Sequence, residues 1–145
     1  MKALIQRVSE AHVIVDGGVV GAIQTGMLVL LAIEKKDTTA TANKIIHKLQ
    51  HYRIFPDANE KMNCSVKDID GGILLISQFT LAADTRKGLR PSFSCAAEPS
   101  LAQELYDYTV STLKCSHPKV ATGIFAADMK VHLVNDGPVT FLLTA

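Results

Sequence analysis

The sequence predicts a single α/β (α+β) domain, residues 1–145, in which two main helices pack on a mixed, mostly antiparallel β-sheet. Strand-like runs rich in Val, Ile and Leu outnumber helical patterns, and only two segments carry apolar residues at helical spacing. No linker, repeat or low-complexity segment divides the chain. A length of 145 residues is enough to bury one substantial hydrophobic core.

The first part of the chain has the pattern of three strands followed by a helix. The strands are expected at Leu4–Val15, Val19–Ile23 and Met27–Ile33, with a turn at Asp16-Gly17-Gly18. The third run is apolar throughout, which is typical of a strand that is covered on both faces. The helix begins after a cap at Asp37 or Thr38. Its apolar stripe consists of Ala42, Ile45, Ile46, Leu49 and Tyr52.

The rest of the chain predicts three more strands and a second helix. Gly71-Gly72 opens a buried strand from Ile73 to Leu81, and Pro99, a residue favoured in a first turn, begins the helix. One side of that helix carries Leu101, Ala102, Leu105, Tyr108 and Thr112. The last two strands are Met129–Asn135 and Val139–Leu143, around a turn at Gly137-Pro138.

Composition and charge exclude several classes of protein. A net charge of +1 and an isoelectric point near 7.8 argue against a protein that grips long nucleic acid by its phosphates. No apolar run approaches bilayer length and no signal-like segment follows Met1, so we expect a soluble, cytoplasmic protein without a membrane partner. The three cysteines are odd in number and far apart in the sequence, at Cys64, Cys95 and Cys115. This argues against a disulfide framework or a four-ligand zinc site and agrees with a reducing compartment. We expect neither metal nor cofactor.

The segment from Asn135 to Phe141 is the most informative part of the sequence. Asn-Asp-Gly between two apolar runs ordinarily predicts a tight hairpin turn, but Pro138 follows at once and cannot donate to a strand ladder. Gly137 can adopt positive φ and lets another group approach its backbone, and the bond to Pro138 reaches the cis form at small cost. Such a dipeptide presents main-chain carbonyls without a side chain, which indicates a steric gauge rather than a reactive group.

A run of polar residues ends the buried strand, at Ser77-Gln78-Phe79-Thr80. Buried hydroxyls and amides need hydrogen-bond partners, so this run indicates either a site at the strand end or a strand that emerges into solvent. The Thr80 hydroxyl becomes a nucleophile only beside a base. None of the five histidines lies in a sequence context that marks it as that base.

Three other groups of residues each have two interpretations. His47 and His51 have the spacing of metal ligands on a helix, but Lys48 stands where a metalloprotease has its glutamate, which favours a solvated face. Phe125 and Met129 can stack a base or pack in the core. A basic loop can hold a phosphate or be simply solvated; it contains Arg86, Lys87 and Arg90. The chain has no glycine-rich phosphate-binding motif, so nucleotide hydrolysis is not expected.

Taken together, these segments resemble the D-aminoacyl-tRNA deacylases (the D-tyrosyl-tRNA deacylase family) essentially from end to end. The two signature motifs of that family are matched by Ser77-Gln78-Phe79-Thr80 and Asn135-Asp136-Gly137-Pro138-Val139. Further matching segments are Ala3-Leu4-Ile5-Gln6-Arg7-Val8, Tyr52-Arg53-Ile54-Phe55, Lys61-Met62-Asn63 and Arg90-Pro91-Ser92-Phe93-Ser94. The chain departs from the family pattern at Cys64, at Cys95-Ala96 and in its last four residues, and none of these touches a signature motif.

The resemblance implies a homodimer with its active sites at the subunit interface. Gly137-Pro138 would be cis and would insert into the other subunit's site, braced by Arg7, with its carbonyls facing the α-carbon of the aminoacyl group. The pocket would be lined by Ser77, Gln78, Phe79 and Thr80, with backbone amides near the last two holding the amino acid and its ester. The terminal adenosine would lie against Ala102, Phe125 and Met129.

The activity that the resemblance implies is hydrolysis of the ester bond of D-aminoacyl-tRNA. An aminoacyl ester is already activated, so oriented amides and the ribose 2′-hydroxyl at the tRNA 3′ end would suffice without a metal or a side-chain base. A gauge that blocks one face of the α-carbon rejects L-aminoacyl-tRNA and passes glycine, including glycine mischarged onto tRNA-Ala. Three alternatives stay open: an acyl-enzyme on Thr80, a non-catalytic module that binds tRNA 3′ ends, and a small-molecule D-amino-acid esterase.

Overall fold

The computed structural model describes residues 1–145 as eight strands, two α-helices and one 3-10 turn. The strands are β1 (Lys2–Val15), β2 (Gly18–Ile23), β3 (Gly26–Ala32), β4 (Phe55–Pro56), β5 (Met62–Cys64), β6 (Gly72–Ser77), β7 (Val120–Thr122) and β8 (Lys130–Thr144). The helices are α1 (Thr39–His51) and α2 (Pro99–Ser116), and the 3-10 turn is Phe79–Ala82. A mixed sheet with two helices agrees with the predicted fold class.

The main sheet has six strands arranged around β1. One edge of β1 pairs antiparallel with β8, and the other edge pairs antiparallel with β3 and then with β2. Beyond β3 the sheet continues through β6 and β7, which are parallel to it, while β4 and β5 form a separate small hairpin. The sheet curls so that β2 lies against β7. The two strands are so close that a Cβ added to Gly21 would collide with the backbone of Thr122.

Strands β3 and β6 are buried on both faces, because their side chains alternate between two apolar clusters. Met27, Val29 and Leu31 belong to the larger cluster, which also contains the buried apolar residues of α1 and α2. Leu28 and Leu74 belong to the smaller cluster, inside the curl. The expectation that the third apolar run forms a strand covered on both faces is therefore confirmed.

Helix α1 follows its prediction except at its carboxyl end. Thr38 is the N-cap, and its N–H donates to Thr41 Oγ1 at 2.7 Å. Asp37, the other candidate cap, instead accepts from the Met1 ammonium at 2.6 Å. The predicted stripe is buried apart from Tyr52, which lies just past the helix with its exposed ring against Phe141.

Helix α2 begins at Pro99 as expected, but its buried face is rotated from the predicted one. The residues that are buried are Leu105, Tyr106, Thr109 and Leu113, so only Leu105 was placed correctly at the centre of this face. Thr109 can be buried because its hydroxyl donates to the Leu105 carbonyl at 2.7 Å, which satisfies the polar group inside the helix.

The buried strand β6 ends at Ser77 and not at Leu81, so that part of the prediction is wrong. The Gln78 N–H donates to the carbonyl of Leu31 at the end of β3, at 2.7 Å, and a 3-10 turn follows at once. Apolar and β-favouring residues such as Phe79 and Thr80 mask this change in the sequence.

The last strand is one continuous element, so the predicted turn at Gly137-Pro138 is wrong. β8 pairs with β1 in the same antiparallel sense on both sides of this dipeptide, with Gln6 opposite Thr140 and Glu10 opposite Val134. Four steps along β1 thus correspond to six along β8, and the two extra residues form a β-bulge. Because the excess is even, side chains before and after the bulge keep to the same faces of the sheet.

The side chains that could bind a metal ion do not gather into a group of three or more. No three His, Cys, Asp or Glu side chains converge, and all three cysteines are free. His47 and His51 stack on each other on the surface of α1, with ring centroids 4.4 Å apart. Neither helix has the length and apolar character needed to cross a membrane.

Candidate active site

A cavity of about 500 Å³ opens where the parallel strands β3 and β6 end and α2 begins. Hydrophobic side chains make up 11 of its 15 lining residues, so the cavity suits an apolar or aromatic group held by a few polar contacts. Six of the residues predicted from the sequence line it: Ser77, Gln78, Phe79, Ala102, Phe125 and Met129.

The polar rim of the cavity forms where β6 gives way to the 3-10 turn. Ser77, the last residue of β6, lies opposite Leu31 of β3. Phe79 and Thr80 then open the turn, and the first N–H groups of a helical turn have no carbonyl within it to accept them. The rim therefore presents main-chain donors beside an apolar cavity.

Thr80 is exposed and lies beside the cavity without lining it. The Gln78 side-chain amide donates to Thr80 Oγ1 at 2.6 Å, and that is the only side-chain hydrogen bond of this hydroxyl. An amide does not act as a base near neutral pH, so the structure provides no group to activate Thr80 as a nucleophile.

The aromatic wall of the cavity is anchored on the core. The ring centroid of Phe125 lies 5.8 Å from that of Tyr106, whose hydroxyl donates to the Leu75 carbonyl of β6 at 2.9 Å. Burial raises the pKa of Tyr106 well above its usual value, which keeps this hydroxyl protonated. Next to it, the Met129 sulfur lies so close to Gly123 that any added Cβ would collide with it.

The other predicted site residues lie at the bulge of β8, outside the cavity of their own chain. The Gly137-Pro138 peptide is cis, Gly137 has a φ of 136°, and both residues are exposed. Arg7 braces the bulge, because its Nε donates to the Asp136 carbonyl at 2.9 Å and its Nη1 donates to the Ile54 carbonyl at 2.8 Å. Six of the ten predicted site residues thus share the cavity, Thr80 adjoins it, and the other three lie at the bulge.

Sequence reasoning missed several apolar residues of the lining and the support behind it. Leu31 and Ile33 line the cavity from the end of β3, where apolar residues are indistinguishable in sequence from core residues. Tyr106 was also missed, although its position four residues after Ala102 puts both on one face of α2 and is the signal that identifies it.

Comparison with known proteins places this geometry in a family. A family model described as D-Tyr-tRNA(Tyr) deacylase matches residues 4–144. A D-aminoacyl-tRNA deacylase from Cellvibrio japonicus (strain Ueda107) is 65% identical over 143 residues, which cover 99% of this chain and 98% of the relative.

Two solved structures share the architecture. One, named c-Myc DNA Unwinding Element Binding Protein, has a TM-score of 0.96 and 37% identity, covering 100% of this chain and 99% of the other. The second, described as a probable eukaryotic D-amino acid tRNA deacylase, has a TM-score of 0.89, covering 99% and 98% of the two chains; at 15% identity it shows the fold alone. The match over nearly the whole length, with both sequence motifs at the cavity and the bulge, confirms the resemblance: the chain belongs to the D-Tyr-tRNA(Tyr) deacylase family, a family of hydrolases.

Proposed function

We propose that this protein hydrolyses the ester bond that joins a D-amino acid to the 3′ end of tRNA in the cytoplasm. The observation that carries the proposal is the apolar cavity of about 500 Å³ with main-chain N–H groups at its rim, in a chain 65% identical to a protein named D-aminoacyl-tRNA deacylase. This site suits a substrate that is already activated and needs to be held and oriented.

The terminal adenosine is the part of the substrate that fits the apolar cavity. Phe125 supplies an aromatic ring and Met129 a polarizable thioether, and both favour contact with a base. Ala102 on α2 is small enough to leave room for that base. Recognition of one adenosine needs few phosphate contacts, which agrees with a net charge of +1.

The chemical step needs little from side chains. Water attacks the ester carbonyl, and the N–H groups of Phe79 and Thr80 donate to the oxygen that becomes negatively charged. The ribose 2′-hydroxyl beside the ester orients or activates the water. The C–O bond to the ribose then breaks, the ribose oxygen takes a proton, and free D-amino acid and tRNA leave.

Chiral selection is assigned to the bulge, acting in the site of a second subunit. Gly137 and Pro138 are exposed and do not line the cavity of their own chain, which supports a role in the cavity of another chain. The outer edge of β8 is unpaired and carries exposed Val134, Phe141 and Leu142, which favours burial in a homodimer. Carbonyls of the bulge against the α-carbon would exclude an L side chain and pass a D side chain or glycine, including glycine mischarged onto tRNA-Ala.

An acyl-enzyme on Thr80 is less well supported. Its hydroxyl accepts from the Gln78 amide at 2.6 Å and has no base beside it. A water nucleophile needs no such base on the protein when the substrate's own hydroxyl takes part.

A second candidate is nucleic-acid binding without turnover, which is favoured by the name of the 37% identical solved structure. That name refers to a DNA element. A chain with 15 Lys and Arg against 14 Asp and Glu has little excess charge for gripping duplex phosphates. A small-molecule D-amino-acid esterase, in turn, would leave the wall of Phe125 and Met129 without an adenosine to hold.

The test uses matched D-tyrosyl-, L-tyrosyl- and glycyl-tRNA with loss of the ester followed against a control without enzyme. Fast loss of the D-tyrosyl and glycyl esters, with the L-tyrosyl ester spared, is the expected result. Binding of tRNA with all three esters decaying at the control rate would instead identify a binding module. Equal rates on D-tyrosyl-tRNA and a simple D-tyrosyl alkyl ester would identify a small-molecule esterase.

A further inference from the structure

An exposed aromatic pair continues the cavity onto the protein surface. Phe79 lines the cavity and is 58% exposed, and Phe93 is 41% exposed. Their ring centroids lie 5.2 Å apart with a tilt of 52°, so the two rings form one platform at the cavity mouth. The adenosine held in the cavity does not account for Phe93, which lies outside it.

The loop that carries Phe93 is closed on itself at one end and fastened to the fold at the other. Asp84 at its start and Ser92 beside Phe93 exchange two backbone hydrogen bonds of 2.8 and 3.0 Å, which close the loop. Near its end, the Lys35 N–H donates to the Cys95 carbonyl at 3.1 Å and the Ala97 N–H donates to the Ile33 carbonyl at 3.0 Å. The loop is thereby held against the end of β3, beside the cavity.

The same loop concentrates positive charge. Asp84 is its only acidic residue, and Arg86 neutralises that carboxylate through contacts of 2.9 and 2.7 Å. Lys87 and Arg90 are exposed and form no hydrogen bond or ion pair with the protein. Two free cations on the loop that carries one ring of an aromatic platform are the combination that binds single-stranded nucleic acid.

We propose that the platform of Phe79 and Phe93, with Lys87 and Arg90, binds the nucleotides that precede the terminal adenosine in the single-stranded 3′ end of tRNA. A base stacks on Phe93, and the two cations contact the phosphates on either side of it. This subsite rests on the proposed function, since it adjoins the cavity assigned to the adenosine. It makes the enzyme select a polynucleotide ester over an adenosine ester.

The experiment compares three D-tyrosyl esters: of adenosine, of the CCA trinucleotide and of full-length tRNA. We expect wild-type kcat/KM to rise from the first to the second. Phe93→Ala should lower kcat/KM on the trinucleotide ester about tenfold more than on the adenosine ester, since stacking contributes a factor of that order. Phe93→Tyr keeps an aromatic face and should retain the wild-type preference, whereas Phe93→Leu should not.

The charge contacts are tested by salt dependence. The ligand is the CCA trinucleotide without an amino acid, and the logarithm of its binding constant is plotted against the logarithm of the salt concentration. In Lys87→Ala/Arg90→Ala the slope of this plot should fall by about 1.4 in magnitude, the value for two phosphates on a single strand. The matched control is Lys44→Ala/Lys67→Ala, which removes two exposed, unpaired lysines away from the loop and should keep the wild-type slope.

Three results would overturn the subsite. One is an equal effect of Phe93→Ala on all three esters, which would mean that Phe93 only supports Phe79. Another is that the wild-type protein binds the trinucleotide without an amino acid no more tightly than it binds adenosine. This binding measurement is informative even if the protein hydrolyses no ester. The third is loss of self-association in Phe93→Ala by analytical ultracentrifugation, which would assign the platform to a contact between copies of this chain. Failure of the proposed function is a separate result, in which no ester is hydrolysed by the wild-type protein.

Discussion

Arg7 holds Asp136 by two contacts: its Nε donates to the main-chain carbonyl at 2.9 Å and lies 3.2 Å from the side-chain carboxylate. The other end of the guanidinium donates to the Ile54 carbonyl. A planar guanidinium donates in fixed directions, whereas a lysine ammonium acts as a point charge. The placement of the residue before Gly137 therefore depends on the shape of Arg7 as well as on its charge.

Replacing Arg7 with lysine should impair chiral selection. The ratio of kcat/KM for D-tyrosyl-tRNA over L-tyrosyl-tRNA is expected to fall about tenfold, because a charge-assisted hydrogen bond contributes roughly 1.5 to 3 kcal/mol. Arg53→Lys is the matched control, since Arg53 is exposed and contacts Asn63 away from the bulge. An unaltered ratio in Arg7→Lys would remove Arg7 from the selection device.

Deleting Gly137 and Pro138 together should give a folded protein without the gauge. Without these two residues, four steps along β1 correspond to four along β8. The pair of Gln6 with Thr140 and the pair of Glu10 with Val134 then belong to one regular ladder. We expect the cooperative unfolding transition to persist and hydrolysis of L-tyrosyl-tRNA to appear. Deletion of Gly137 alone is the contrasting variant, because an odd shift would turn Leu143, the buried residue of β8, outward and should lower the free energy of unfolding. Continued discrimination by the double deletion would contradict the assignment.

Thr80→Ala should retain more than about a tenth of the wild-type kcat, since the side chain lacks a base and water is the nucleophile. Single-turnover hydrolysis of D-tyrosyl-tRNA measures this directly. A loss of about a thousandfold or more, with the free energy of unfolding unchanged, would instead support an acyl-enzyme on Thr80.

The Phe79 amide can be separated from the Phe79 ring by two substitutions. Phe79→Ala removes the ring and keeps the N–H, and Phe79→Pro removes both. Proline suits the first position of a helical turn, and the preceding Gln78, with φ −144° and ψ 79°, lies outside the α region that a following proline disfavours. We expect kcat for Phe79→Pro to be about a hundredfold below that of Phe79→Ala, the usual effect of losing one oxyanion donor. Equal kcat values would exclude the Phe79 N–H from the step.

Stability at alkaline pH should depend on Tyr106. Burial raises its pKa above the usual value of about 10, so the neutral form is favoured in the folded protein. The corresponding stabilisation is complete below about pH 10 and is lost as the pH rises, by up to about 1.4 kcal/mol per unit. Tyr106→Phe should be less stable by about 1 kcal/mol near neutral pH and should lose less stability between pH 9 and 11. Denaturant unfolding across that range checks this, and parallel stability curves would contradict it.

The parts of the fold that sequence predicted best are those with local signals. The apolar run of β3 and the stripe of α1 each repeat at the period of their own element, and both lie where expected. The path of β8 was predicted wrongly because its continuity depends on pairing with β1, more than a hundred residues away. The cavity could not be predicted as a shape either, because Leu31 and Phe125 reach it from distant parts of the chain. Residue patterns drew attention to its polar rim and aromatic wall but left each with a purely structural alternative, and the family resemblance favoured the site.

The hydrogen-bond donors at the start of the 3-10 turn belong to the main chain, and this determines which missense mutations can remove them. A main-chain N–H is encoded by almost every codon, so most missense changes at these positions keep the donor and alter only the rim around it. Proline codons are the exception, since proline alone removes the N–H. Inactivating missense mutations should therefore gather where an added Cβ would meet fixed main-chain atoms, as at Gly137, whose Cβ would lie 2.9 Å from the main-chain nitrogen of Val139.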